Sequence, residues 1–264
     1  MDLGIAGRIA LVCGGSSGLG YAVAEALWRE GVRIALNGRE ETKLRSAAEQ
    51  LRGAGESPTV LPFPADLSRA DACAALVQRV RDLVGGPDIL LCNAGGPPAG
   101  TFDSHGAERW QAALDLSLLS TIHLCRAAVP AMRLAGWGRI LCLTSVAARQ
   151  PAPSLILSTT ARAGVLGFAK ALSDEVARDG VTVNVLCPGY FGTERLRELA
   201  QVRGQSQGRT TDTVLADMGA AVPAGRIGTP AEFAAAAAFL ASDPARYITG
   251  TVLSVDGGLT RAIL

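Results

Sequence analysis

Short apolar runs alternate along the chain with longer stretches in which apolar positions recur every three or four residues. The runs are Arg8–Cys13, Val32–Asn37, Thr59–Pro64, Asp88–Asn93, Arg139–Thr144, Val181–Cys187 and Val252–Val255. They carry Val, Ile and Leu without polar alternation, the pattern of strands buried on both faces. Between them the helical period predicts helices at Leu19–Glu30, Glu40–Arg52, Arg69–Val84, Glu108–Leu134, Ser158–Arg178 and Ala231–Ala241. Thr229-Pro230 supplies an N-cap and first-turn pair for the last. Strand and helix taking turns implies right-handed βαβ units and a parallel sheet. The expectation is one α/β domain over residues 1–264, with helices on both faces of a seven-stranded parallel sheet. Only the stretch 192–228 breaks the rhythm. It is polar, punctuated by Gly and placed after a strand's carboxyl end, where open α/β sheets bind ligands, so it is read as a loop-like substrate lid.

Composition removes several classes of function. A length of 264 residues and an aromatic content of 5% suit one core of closely packed helices on a sheet. A formal net charge of +1 and the lack of any Lys/Arg run give no basis for a nucleic-acid partner. No stretch offers the ~20 consecutive apolar residues of a membrane span, and even Ala231–Ala241 contains Glu232. Met1-Asp2-Leu3-Gly4 has no signal-peptide pattern, so a cytoplasmic location with no membrane partner is expected. Cys13, Cys73, Cys92, Cys125, Cys142 and Cys187 lack C-x-x-C or metal-ligand spacing. They are read as reduced core residues, and no metal is expected.

Directly after the first strand comes Gly14-Gly15-Ser16-Ser17-Gly18-Leu19-Gly20, opening a helix. Free N–H groups and the positive end of the dipole there suit a pyrophosphate, and glycines let it approach the backbone. A tight strand-to-helix turn would look the same in isolation. Further motifs follow in order: Asp66-Leu67, Asn93-Ala94-Gly95, Pro188-Gly189 with Thr193, and Asp256-Gly257-Gly258.

This ordered set, from Gly7 to Leu259, resembles the short-chain dehydrogenase/reductase family, and 3-oxoacyl-carrier-protein reductases within it. The resemblance implies a doubly wound Rossmann fold and a homo-dimer or homo-tetramer. It implies a cofactor held by Gly14, Ser16, Ser17, Gly18, Leu19 and Gly20, with Asp66 and Leu67 at the adenine. Asn93, Ala94 and Gly95 then lie along the cofactor, and Pro188, Gly189 and Thr193 hold the nicotinamide amide. At the end of the second strand, Leu36-Asn37-Gly38-Arg39 has no acid to meet a ribose 2′-hydroxyl, and Arg39 is a cation suited to a 2′-phosphate. NADP(H) is the expected cofactor.

The family reduces carbonyls with Ser, Tyr and Lys, supported by an Asn on the preceding helix. Ser145 matches the Ser, but Ser158 stands at the Tyr position, Arg162 at the Lys position and Ser117 at the Asn position. The only tyrosines are Tyr21, Tyr190 and Tyr247. An alkyl hydroxyl is too weak an acid to replace a phenol of pKa ~10. Arg162, one turn after Ser158, can hold a ribose hydroxyl, an alkoxide or an anionic group without shuttling protons.

The expected activity is therefore an atypical NADP(H)-dependent oxidoreductase acting on a carbonyl or hydroxyl of a small molecule, such as a 3-oxoacyl compound. Ser145 and Arg162 stabilise the oxyanion and water supplies the proton. An isomerase or dehydratase on the same fold, and a catalytically degenerate dinucleotide-binding subunit, stay open. Tyr190 is a substrate-lining candidate for a displaced acid, His105 reads as solvent-exposed, and His123 as a core or interface histidine. Arg149, Arg195, Arg197, Arg203 and Arg209 suit an anionic substrate or, balanced by Glu194 and Glu198, a solvated lid.

Overall fold

The computed structural model describes residues 1–53 and 58–262. Seven strands form one sheet: β1 (Ile9–Val12), β2 (Arg33–Gly38), β3 (Val60–Pro64), β4 (Ile89–Cys92), β5 (Gly138–Leu143), β6 (Val181–Pro188) and β7 (Val252–Val255). Their order is β3-β2-β1-β4-β5-β6-β7 and every neighbouring pair is parallel. The expected doubly wound Rossmann sheet is what forms. The direction of winding reverses beside β1, so the crevice between the ends of β1 and β4 is where such sheets bind ligands.

Side chains of successive strand residues point to opposite faces, and each face carries its own core. Ala10 and Val12 pack with α1 (Gly18–Arg29), α2 (Glu41–Gly53) and α9 (Pro230–Leu240). Ile9 and Leu11 pack with α3 (Ala70–Val84), α5 (Ser120–Ala135) and α6 (Ile156–Val176). All six cysteines are free and buried, as expected of core residues.

Two elements differ from the expectation. The helix read as Glu108–Leu134 is α4 (Ala107–Leu114) and α5 joined through a π turn, Asp115–Leu119. Its 29 residues are long enough to cross a bilayer, but Leu124, Cys125, Ala128, Val129 and Met132 are buried in the core of this domain. The segment 192–228 is not an irregular loop. It holds α7 (Glu194–Gln207) and α8 (Thr211–Ala221), joined across the left-handed Gly208. Thr193 and Thr210 cap these helices through their hydroxyls, and Leu196, Ala200, Val214 and Met218 form a small core of their own. Polar composition hid the helices because only that narrow apolar stripe is buried.

Candidate active site

The turn after β1 is built for close approach. Gly14 has φ +58, and a Cβ there would lie 2.6 Å from Asn93 Nδ2. A Cβ on Gly20 would overlap the carbonyl oxygen of Gly14, so the first turn of α1 packs directly on the strand end. Ser17, the N-cap of α1, makes no side-chain capping bond, whereas Thr193, Thr210 and Thr229 all cap their helices. The amides of α1 are thereby left for an external acceptor. From β4, Asn93 donates to the carbonyls of Cys13 (3.2 Å) and Gly14 (3.3 Å), clamping the turn. Ala94, half-buried, and Gly95, exposed, follow it in the loop after β4.

At the ends of β2 and β3, Asn37 is buried and donates to Phe63 O (3.0 Å) and Ala65 O (3.3 Å). This fixes the loop carrying Asp66 and Leu67, a role that a strand-end Asn in sequence hints at but does not specify. Asp66 accepts from the Ser68 amide at 3.0 Å. That bond, aided by Arg39 and Arg69, holds its carboxyl below the usual range. Arg39 is exposed and makes no hydrogen bond or ion pair among the described residues. Ser16 faces Thr42, Lys43, Ser46 and Gln50 across a groove of about 370 Å³.

The second half of the site gathers around β5. Ser145 is half-buried, and its Oγ accepts from Ala147 N at 3.1 Å. Arg162 lies on α6 with Ser158 one turn before it, and its Nη1 donates to Leu143 O (3.2 Å) and Thr144 O (2.7 Å). Its guanidinium is thus drawn to the residues immediately before Ser145. Nε and Nη2 make no hydrogen bond among the described residues. Burial, helped by the charge of Arg195, pushes the Arg162 pKa down to about 10, so the group is still a cation at neutral pH. Ser158 is half-buried with no hydrogen-bond partner among the described residues. Ser117 sits buried in the π turn with its Oγ unpartnered among the described residues. Such turns are frequent at functional sites.

Pro188 and Gly189 close β6. Gly189 lies against Asp256, where a Cβ would come within 2.7 Å of the Asp256 Cβ. Tyr190 lines a cavity of about 140 Å³ with Phe191, Val222, Arg226, Glu232 and Asp256. His105 corrects its sequence reading. It is 8% exposed, with neither ring nitrogen partnered among the described residues. Gly100 pairs with Ser154 and Leu155 and folds the β4 loop over it. His123 is half-buried.

The arginines of 192–228 do not act alike. Arg197 pairs with Asp212 (3.0 Å) and Arg209 with Asp217 (2.6 Å), partners from α8 rather than the nearby glutamates. Arg195 pairs with Glu198 at 3.3 Å and reaches across to Pro97 O at 3.2 Å.

A glycine-lined helix N-terminus at the switch point, with hydroxyl and cationic groups one strand further on, defines a dinucleotide-binding α/β protein. The family model described as Enoyl-(Acyl carrier protein) reductase matches residues 14–260. D-beta-hydroxybutyrate dehydrogenase of Rhizobium meliloti is 34% identical over 255 residues, 96% of this chain and 98% of that protein. The 3-oxoacyl-[acyl-carrier-protein] reductase of Chlamydia muridarum is 33% identical, covering 96% of this chain and 97% of its own. L-sorbose reductase from Gluconobacter frateurii, solved with NADPH and L-sorbose, superposes with a TM-score of 0.94 at 32% identity over 100% of both chains. The chain belongs to the short-chain dehydrogenase/reductase family of oxidoreductases, which act on carbonyl and hydroxyl groups.

Proposed function

We propose that this protein is an NADP(H)-dependent reductase of a small-molecule carbonyl that works without a tyrosine acid. The observation that carries the reading is Arg162, buried against the strand end that presents Ser145, with part of its guanidinium unpartnered among the described residues. NADP(H) fits the groove on three counts: no acid follows β2, Arg39 is unengaged among the described residues, and Ser16, Thr42 and Lys43 offer further donors. The L-sorbose reductase relative carries NADPH. Gly14, Ser16, Ser17, Gly18, Leu19 and Gly20 would hold the pyrophosphate, Asp66 and Leu67 the adenine, and Pro188, Gly189 and Thr193 the nicotinamide amide, with Asn93, Ala94 and Gly95 lying along the cofactor. The bound cofactor supplies a hydride.

Within that frame, Ser145 donates a hydrogen bond to the substrate oxygen and Arg162 stabilises the negative charge that develops on it. Such preorganised donors act strongly in a dry pocket. Ser158 and Ser117 are small polar groups where the family pattern has Tyr and Asn. They orient substrate or water, and water delivers the proton. A homo-dimer or homo-tetramer in the cytoplasm and the role of residues 192–228 as a substrate lid belong to the same reading.

Single-turnover oxidation of bound NADPH tests it, in the natural protein, in Arg162→Ala and in Ser158→Tyr combined with Arg162→Lys. Turnover by the natural protein that collapses in Arg162→Ala supports the reading. Turnover confined to the double variant shows a degenerate site and sinks it.

A further inference from the structure

The α7–α8 hairpin leaves and rejoins the domain through a closed neck. Gly192 N donates to Gly228 O and Gly228 N to Tyr190 O, both at 2.9 Å, and Phe191 and Gly228 form an isolated parallel bridge between the entering and leaving segments. Position 228 admits no side chain, since a Cβ there would lie 2.7 Å from Phe191 Cε1. The cavity of about 140 Å³ lies at this neck, and its two aromatic walls belong to different parts of the molecule. Phe191 is buried in the main core, edge-on to Phe233 of α9 with ring centres 5.5 Å apart. Tyr190, one residue earlier, packs instead on the hairpin's own core of Leu196, Ala200, Val214 and Met218.

Val222 and Val255 complete the apolar lining. The charged groups of the lining are engaged with one another or with backbone. Arg226 and Glu232 meet in two-point geometry at 2.8 and 2.6 Å, and Glu232 also accepts from the Thr229 amide at 2.8 Å. Asp256 directs its two oxygens to the amides of Gly258 and Thr260, each at 2.9 Å. An anion entering here would meet the Asp256 carboxylate with no free cation among the described lining residues, so burying its charge would go uncompensated. At the packing density of protein interiors, about 0.74, the volume suits roughly one six-membered ring with a small substituent. Apolar cavities of similar size in other proteins stay dry and take up benzene. Two aromatic walls favour a ring as occupant, because ring–ring contacts add to the gain from burial.

We infer that this cavity is a binding site for a small neutral aromatic molecule, and that its occupant stiffens the neck of the α7–α8 hairpin. A ligand there touches Phe191 on the domain core and Tyr190 on the hairpin core together. It therefore binds best when the neck is closed and, by linkage, holds it closed. None of the lining residues is among those proposed above to hold the cofactor or stabilise the substrate oxygen, so the site stands without the reductase reading.

Toluene is the probe, and benzoate, the same ring bearing a charge, is its control. Toluene near its aqueous saturation is expected to raise the melting temperature by about 3 °C, the shift that a tenfold excess over Kd gives a domain of this length. Benzoate at the same concentration leaves it unchanged. Hydrogen exchange at the amides of Gly192 and Gly228, which close the neck, is expected to slow at least about fivefold with toluene. Val222→Phe, which adds a ring to the lining, should abolish toluene binding. Tyr190→Ala, which removes the hairpin's wall, should weaken it about tenfold and remove the protection of both amides; this arm and the exchange measurement decide the matter if Val222→Phe does not fold. No shift with toluene, equal shifts with toluene and benzoate, undiminished binding in Tyr190→Ala, or binding that leaves the two amides unprotected overturns the inference. So does a shift that saturating NADPH abolishes, because toluene would then sit in the cofactor crevice.

Discussion

At the carboxyl ends of β1 and β2 the chain bares its backbone, while at the ends of β5 and β6 it presents guanidinium groups. The first region achieves binding by subtraction: glycines at 14 and 20, an uncapped α1, and an Arg39 with no engagement of its own among the described residues. The second works by addition, with Arg162 buried against Leu143 and Thr144 and Arg195 and Arg149 nearby. A bare helix terminus suits any pyrophosphate and tolerates little change. A set of charged side chains can be retuned for a new substrate by exchange, because the scaffold beneath it is untouched.

The largest expected effect falls in the second region. Arg162→Ala should lower single-turnover hydride transfer by about 10²–10³-fold, as removal of an oxyanion donor does, with NADPH binding kept. An unaltered rate would leave the arginine a merely structural role. The same group gives a pH signature. With its pKa pushed down to about 10, the active cationic form persists through neutrality and is lost as pH rises through about 10. A rate that holds flat to pH 11 would contradict the assignment.

In the first region, Gly20→Ala forces a methyl into the Gly14 carbonyl. An overpacking cost of about 1–3 kcal/mol predicts roughly ten- to hundredfold weaker cofactor binding by fluorescence titration. Arg39→Ala should weaken NADPH by about tenfold and leave NADH alone; equal losses for both would remove the 2′-phosphate assignment. The smallest effect lies outside both regions. Thr229 and Glu232 form a capping box on α9, and Arg226 holds Glu232 down to about 2. Thr229→Ala should lower thermal stability by about 1 kcal/mol without altering cofactor affinity.

Much of this was legible in the residues. The strands came from runs of Val, Ile and Leu, and their observed limits differ by a residue or so, as at Arg33–Gly38 against Val32–Asn37. The glycine turn was readable because its requirement is local: backbone conformation and closeness are properties of the residues themselves. The helices at 194–207 and 211–221 were not, since their buried stripe is short and faces only its own hairpin.

The sequence by itself determined the parallel sheet, the position of the phosphate turn, the absence of an acid after β2, and the presence of Ser158 and Arg162 on one helical face. Each depends on period, spacing or residue type within a few positions. Tertiary structure decided which distant groups each arginine meets: Arg197 finds Asp212 fifteen residues on, and Arg195 finds Pro97 ninety-eight residues back. It also buried His105 in a segment that reads as surface, because Gly100 pairs with Ser154 across the fold. Charge partners and burial are set by which distant segments meet, and no local pattern encodes that.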